Sequence, residues 1–249
     1  MLKKFIKKTF RFLGFDLIRL SKEGDRLFST DLYHRLNQRR LEHLASLQLD
    51  IAQSTVLEVG AGIGEHTSFF LDRDCTVTTS DAREETVKKL RSRYPNIRVL
   101  KIDLDNPPET FNELFDIIYC YGLLYHLRNP SMAIKFMARC CGKMILLETR
   151  ISHGDDVSLN PCTEKKSDPR HGVSGIGCRP TRRWVLNELK KYFAFVYLPI
   201  TQPYHNNFPI DWSSPPAQKG SDRAIFIASR QKIINKYLTE EIPLKQTRY

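Results

Sequence analysis

The sequence predicts an α/β fold: a parallel sheet wound on both faces, preceded by an N-terminal helical arm. Three observations carry this. From residue 54 onward, short apolar runs alternate with amphipathic ones, the pattern of strands and covering helices. The first run leads straight into the glycine-spaced turn Gly60-Ala61-Gly62-Ile63-Gly64. Acids stand in or at the ends of the first three strand-like runs, at Glu58, Asp81 and Asp103. With 249 residues the chain is long enough for one such domain with arms.

Taken in order, Leu2, Phe5, Ile6, Phe10 and Leu13 recur at helical spacing, and Lys3, Lys4, Lys7, Lys8 and Arg11 occupy much of the other side. A basic amphipathic helix of this kind can lie at an anionic membrane surface, or pack on its own domain with a solvated basic face, and Gly14 ends or bends it. Residues 30–48 form another helix, capped by Thr30 or Asp31. Then come the strand "TVLEV", the helix "EHTSFFLD", the strand "TVTTSD", the helix "REETVKKLRSRY" and the strand "IRVLKID". "FDIIYCYG", "PSMAIKFMARC" and "KMILLET" continue as strand, helix, strand. "TRRWVLNELKKYF" is a late helix with Thr181 as its cap, and "AFVYLPI" and "RAIFIAS" are the last two strands. The expected division is an arm over 1–48, the sheet domain over 49–232 and a tail over 233–249. Two long loops, 150–180 and 202–222, follow strands where an open α/β sheet binds ligands, at the carboxyl edge.

Bulk properties exclude several classes. Residues 1–40 hold eleven Lys or Arg against four acids, so most of the net charge of +11 is N-terminal. The remaining domain is nearer balance and does not read as a nucleic-acid surface. No run reaches the roughly 18 uninterrupted apolar residues of a membrane helix, and lysines interrupt any signal-peptide core. The six cysteines form no C-x-x-C pair, and free thiols in a reducing, cytoplasmic compartment are the expectation. His153, Cys162, His171 and Cys178 are of zinc-binding types, but their spacing fits no compact ligand set, so no metal is expected.

The glycine loop decides between ligands. A dinucleotide turn reads G-x-G-x-x-G, whereas here the spacing is G-x-G-x-G and Glu65 stands where the third glycine belongs. A phosphate loop needs Gly-Lys-Ser/Thr after it, which is absent. Glu58 repels a pyrophosphate but suits an amino group. Asp81, ending the second strand, suits two ribose hydroxyls, and Asp103 an adenine amino group.

On these residues the chain resembles the class I S-adenosylmethionine (SAM)-dependent methyltransferases, over about residues 50–230. Glu58-Val-Gly-Ala-Gly-Ile-Gly64 matches that family's first motif. The resemblance implies a Rossmann-like sheet of seven strands ending in an antiparallel hairpin. It also implies SAM as cofactor, held by Glu58, Gly60, Ala61, Gly62, Gly64, Asp81 and Ala82, with Asp103 and Leu104 flanking the adenine. Tyr121 and Leu123 are expected as cofactor-wall residues. The segment "FDIIYCYGLLYHLRNP" with "MILLET" is more narrowly similar to the tRNA wobble-uridine carboxymethyltransferases, which use carboxylated SAM. Leu127 stands where a basic residue often follows Tyr-His in that family, so ordinary SAM is expected here.

Methyl transfer requires alignment of a nucleophile with a sulfonium methyl and exclusion of water; a base is optional. Tyr125, His126, His171 and Asp211 are the candidate catalytic residues. His153, Arg179, His205 and Trp212 are expected to help line an acceptor pocket, with Trp212 stacking on a ring or sugar face. Gly172, Gly175 and Gly177 suit a mobile lid. The expected activity is O-methylation of a small molecule: a sugar, glycan or lipid-associated metabolite. A tRNA substrate and a non-catalytic SAM-binding partner protein are the alternatives. Residues 1–20 are expected to place the protein peripherally at an anionic membrane.

Overall fold

A computed structural model describes residues 30–214 and 222–249. The basic amphipathic segment expected at residues 1–20 lies outside the described residues. The first described helix, α1 (Asp31–Ser46), is capped by Thr30, whose side chain accepts from Tyr33 N–H at 3.3 Å. Strands β1 (Thr55–Val59), β2 (Thr76–Asp81) and β3 (Arg98–Lys101) alternate with helices α2 (Thr67–Leu71) and α3 (Glu84–Arg93). Then follow β4 (Phe115–Tyr121), a 3-10 turn at Leu124–His126, α4 (Pro130–Cys140) and β5 (Cys141–Arg150). A small hairpin, β6 (Pro161–Thr163) and β7 (Ile176–Cys178), precedes α5 (Arg182–Lys190), β8 (Phe195–Pro199) and β9 (Thr201–Gln202). The chain closes with β10 (Arg223–Ser229), β11 (Leu238–Thr239) and β12 (Thr247–Arg248).

The main sheet runs in the order β11-β8-β10-β5-β4-β1-β2-β3. Its β1 to β5 half is parallel, and β10 lies antiparallel between β5 and β8. The alternation of strand side chains divides the core. Leu57, Ile118, Leu147 and Phe226 face α4 and α5, while their neighbours Val56, Ile117, Leu146 and Ile225 face α1 and α2. Both faces are therefore dry, which is why these strands read as continuous apolar runs. The helix ends follow local rules. Thr181 caps α5 by accepting from Trp184 N–H at 3.2 Å, and Pro130 opens α4, where its missing N–H costs nothing.

Two expectations are corrected. The sheet has eight strands, not seven: the two-residue β11 adds to the edge of β8 through Leu238↔Pro199 and Thr239↔Leu198. So short a piece has no alternation to reveal it; only the free edge of β8 makes it a strand. The helix expected from Glu65 begins at Thr67, because Glu65 is held by α1, accepting from Asn37 Nδ2 at 3.1 Å. Helix α1 itself packs on the sheet, with Leu44 fully buried beside Val56 and Phe70. Among the described residues, no helix is long and apolar enough to cross a membrane.

Candidate functional site

A cavity of about 310 Å³ opens at the carboxyl ends of β1, β2 and β4. Its floor is the glycine loop, where Gly60, Gly62 and Gly64 all take positive φ, 65°, 56° and 75°. A Cβ on Gly60 would also stand 2.7 Å from Leu123 Cδ2, so a side chain there would strain the backbone and displace Leu123. Asp81 ties loop and strand together: Oδ2 accepts from Gly62 N–H at 3.2 Å and Oδ1 from Arg83 N–H at 2.9 Å. Glu58 is buried and accepts from Thr67 Oγ1–H at 2.6 Å. Burial pushes its carboxyl up to about 7, against the pull of Thr67 and Arg93.

The other expected cofactor residues gather here too. Glu58, Gly60, Ala61, Gly62, Asp81, Ala82, Asp103, Leu104, Tyr121 and Leu123 all line the cavity. Gly64 does not; it lies behind the loop against Tyr94 and Leu90. Asp103 is engaged in its own turn, accepting from Asp105 N–H at 2.9 Å and Asn106 Nδ2 at 3.0 Å. The residues fit a sulfonium nucleoside on observations of the structure itself. The buried Tyr121 hydroxyl and His66 Nε2 face the cavity region without protein partners, and the acids Glu58, Asp81 and Asp103 line it beside the glycine loop.

Above the floor, Tyr125, His126 and His171 line the same space. His126 Nδ1 lies 2.7 and 2.8 Å from the two oxygens of Glu164, which also accepts from Gly172 N–H at 2.7 Å. The carboxylate requires a proton on Nδ1, which leaves Nε2 as the free base of the neutral ring. His171 has the opposite tautomer. Its Nδ1 accepts from Lys165 N–H at 3.0 Å, so its ring proton sits on Nε2 and the neutral side chain can only donate into the cavity. Gly172 is pressed so closely on the His126 carbonyl that any Cβ there would collide with it.

The second long loop does not deliver what its sequence promised. Asp211 is exposed and caps its own turn, accepting from Ser213 N–H at 2.9 Å. It is held away from the cavity by a bridge to Lys245 in the tail. Trp212 is a core residue rather than a stacking platform: its indole N–H donates to Gln246 Oε1 at 2.7 Å, and Arg182 covers its ring at 4.0 Å. His153 pairs with Asp222 at 2.7 Å, Arg179 donates to the Cys178 carbonyl at 2.7 Å, and His205 Nδ1 accepts from Asn207 N–H at 3.1 Å. None of the three lines the cavity. Of the first loop, Pro169–Val173 form a wall of the cavity, while His153 and Arg179 are turned elsewhere. Among the described residues, no cluster of three His, Cys, Asp or Glu side chains is arranged to hold a metal.

Sequence reasoning missed a basic wall. Arg40 from α1, Arg150 at the end of β5 and Arg223 at the start of β10 all line the cavity around Tyr125. Arg40 and Arg223 each bond one oxygen of Glu148 at 2.8 Å, and Arg223 Nη2 donates to the Tyr125 hydroxyl at 3.1 Å. Burial alone would raise the Tyr125 phenol. The charges of Arg223, His126, Arg150 and Arg40 outweigh it and bring the phenol down to about 7. The sequence signal for this wall was Glu148, Arg150 and Arg223 in otherwise apolar strands; Arg40, in α1, had none.

Residues 56–143, from β1 to the start of β5, match the family described as methyltransferase domain. That segment reads as a methyltransferase domain. The match agrees with the methyltransferase resemblance read from the glycine loop. Phosphoethanolamine N-methyltransferase 3 of Arabidopsis thaliana is 36% identical over 99 residues, 38% of this chain and 20% of that protein. A tRNA U34 carboxymethyltransferase of Actinobacillus succinogenes is 34% identical over 131 residues, 48% of this chain and 38% of that protein. The matched part of this chain thus spans less than half the length of either relative. Among solved structures, the N-terminal domain of EvdMO1 with SAH and D-fucose superposes with a TM-score of 0.61 at 18% identity, covering 93% of this chain and 98% of that one. Magnesium protoporphyrin IX methyltransferase of Synechocystis PCC 6803 with bound SAM gives 0.51 at 13% identity, covering 92% and 97%. At these identities the structures speak for the methyltransferase fold.

Proposed function

We propose that the protein is a SAM-dependent methyltransferase acting on a hydroxyl of a small acceptor: a sugar, a glycan or a lipid-associated metabolite. The observation that carries this is the His126–Glu164 pair, at 2.7 Å, in the cavity floored by the glycine loop. SAM supplies an electrophilic methyl group. Glu58, the glycine loop, Asp81 and Leu104 would hold it. His126 Nε2 takes the hydroxyl proton, Glu164 orients the ring and stabilises the imidazolium that results, and His171 donates a hydrogen bond to the acceptor. The Pro169–Val173 wall keeps water from the site. D-fucose belongs to the EvdMO1 structure; for this chain the sugar-like acceptor is our reading. The pattern of residues 1–20 adds a peripheral membrane location to it.

The test is incubation of the full chain with isotopically labelled SAM and fractionated metabolite extracts, followed by mass spectrometry. A labelled O-methyl product is expected. His126→Ala should lower kcat about 10²- to 10⁴-fold with SAH binding retained. Tight SAH binding with no transfer to any fraction would instead favour a non-catalytic SAM-binding protein. A tRNA substrate is the second reading, supported by the similarity to tRNA U34 carboxymethyltransferases. Methylated tRNA, with binding that falls steeply as salt rises, would favour it.

A further inference from the structure

The layer made by α4 and α5 carries two surface features that the catalytic cavity does not use. The first is a groove of about 760 Å³ along α4, with Phe136, Ala138 and Tyr192 in its lining. Met132, Lys135 and Arg139 follow one face of α4 at helical spacing, and Met132 is 42% exposed. Arg139 donates to the Pro108 carbonyl at 2.8 Å, and Arg230 to the carbonyls of Ala138, Cys141 and Tyr192. Three cations thus line the groove against one acid, Glu109, and among the described residues none of the three makes an ion pair.

The second feature is the turn after β11, Glu240-Glu241-Ile242-Pro243-Leu244. Both glutamates are exposed and without an ion pair among the described residues, and Leu244 is 56% exposed. The backbone of the turn is fixed. The Pro243 carbonyl accepts from Arg182 Nη1 at 2.7 Å, and the Leu244 carbonyl from Trp212 N–H at 2.9 Å. Ile242 packs on the same core cluster as Phe136 and Tyr192, which puts turn and groove on one side of the sheet. The turn is tied to Arg182 at the start of α5, whereas Tyr192 lies beyond its end, and nine residues of helix separate the two by about 13 Å. A turn pinned there does not reach the groove of its own chain.

We infer that two copies of the chain pair across this face about a two-fold axis, the 240–244 turn of each entering the α4 groove of the other. Glu240 and Glu241 meet Lys135, Arg139 and Arg230, and Leu244 covers Met132. The two contacts are reciprocal, so the pair closes as a dimer and leaves no groove or turn free to recruit further copies. An acidic turn attracts a basic groove, whereas two turns or two grooves repel each other, so charge selects this pairing over its alternatives. None of these residues lines the catalytic cavity, and the inference stands apart from the methyltransferase reading.

Analytical ultracentrifugation of the full chain between about 1 and about 200 μM tests it. A monomer–dimer equilibrium is expected, shifting toward monomer as salt rises from about 0.05 to about 0.5 M. Lys135→Glu combined with Arg139→Glu, and separately Glu240→Lys combined with Glu241→Lys, should each weaken dimerisation about tenfold or more, with melting temperatures close to that of the wild type. Mixed in equal amounts, the two variants should regain the dimer. The reversed turn of one then faces the reversed groove of the other, and the two unchanged surfaces face each other; a chain that had merely lost its fold would not be rescued in this way. A wild-type chain that stays monomeric throughout, a dimer that survives both variants, or a mixture that stays monomeric overturns the inference. Species that grow beyond the dimer as concentration rises overturn it as well, because they replace the closed pair with an open chain of copies.

Discussion

At neutral pH the Glu58 carboxyl is balanced between its two protonation states. Burial raises it from the ordinary 4.5 to about 7, with Thr67 and Arg93 pulling the other way. The folded protein therefore holds this proton where the unfolded chain has released it. The stabilisation so gained is full below the unfolded value and is lost as pH rises through about 7. Above that, the fold carries a buried carboxylate with one hydroxyl donor. Glu58→Gln keeps an acceptor for Thr67 and removes the charge. In the ligand-free chain it should raise stability by about 1–3 kcal/mol at pH 8 and by little at pH 5, read by thermal denaturation at both values. An equal effect at the two pH values would contradict the burial argument. That Glu58 and Asp81 line the cavity was legible, because one leads into the glycine turn and the other ends the second strand. The roles of His126 and His171 were not: which ring nitrogen carries the proton depends on Glu164 and the Lys165 amide, neither of which sequence spacing places.

Among the elements, the segment between β6 and β7 is the one whose attachment bears most on the site. Arg83 Nη2 reaches the carbonyls of Lys166, Asp168 and His171 at 3.3, 3.5 and 2.9 Å, and Glu164 accepts from Gly172. These polar ties, rather than a large apolar face, fix the wall over the cavity, which places it at the less stable end of the fold. Arg83→Ala retains the backbone N–H that Asp81 accepts but frees the three carbonyls. It should speed amide hydrogen exchange at residues 165–175 and raise the acceptor KM roughly 3- to 10-fold. Unchanged exchange there would mean that the hairpin holds the wall without Arg83. Helices and long strands could be read in advance, α4 and β10 to the residue, because periodicity and caps are written locally. The hairpin, β11 and β12 could not, since each is two or three residues whose pairing depends on what lies beside it.

For the molecule as a whole, charge is distributed unevenly, with eleven Lys or Arg against four acids in residues 1–40. A basic amphipathic segment gains affinity for anionic lipid from both its charges and its apolar residues, and the first part is screened by salt. The full chain should co-sediment with vesicles containing phosphatidylserine and much less with neutral phosphatidylcholine vesicles. Binding should weaken between about 0.05 and 0.5 M salt and vanish when residues 1–20 are deleted. Retention of binding after that deletion would move the membrane contact to another part of the chain.

By itself the sequence determined the order of strands and helices, the glycine turn and the acids beside it. Each of these follows from residues within a few positions of one another. Only the tertiary structure decided that Arg40, Glu148 and Arg223 meet, across separations of 108 and 75 residues, or that Glu164 stands behind His126 while Asp211 and Trp212 turn away. The reason is physical: strand and turn preferences act along the chain, whereas a charge finds its partner only after the sheet has been assembled and water removed.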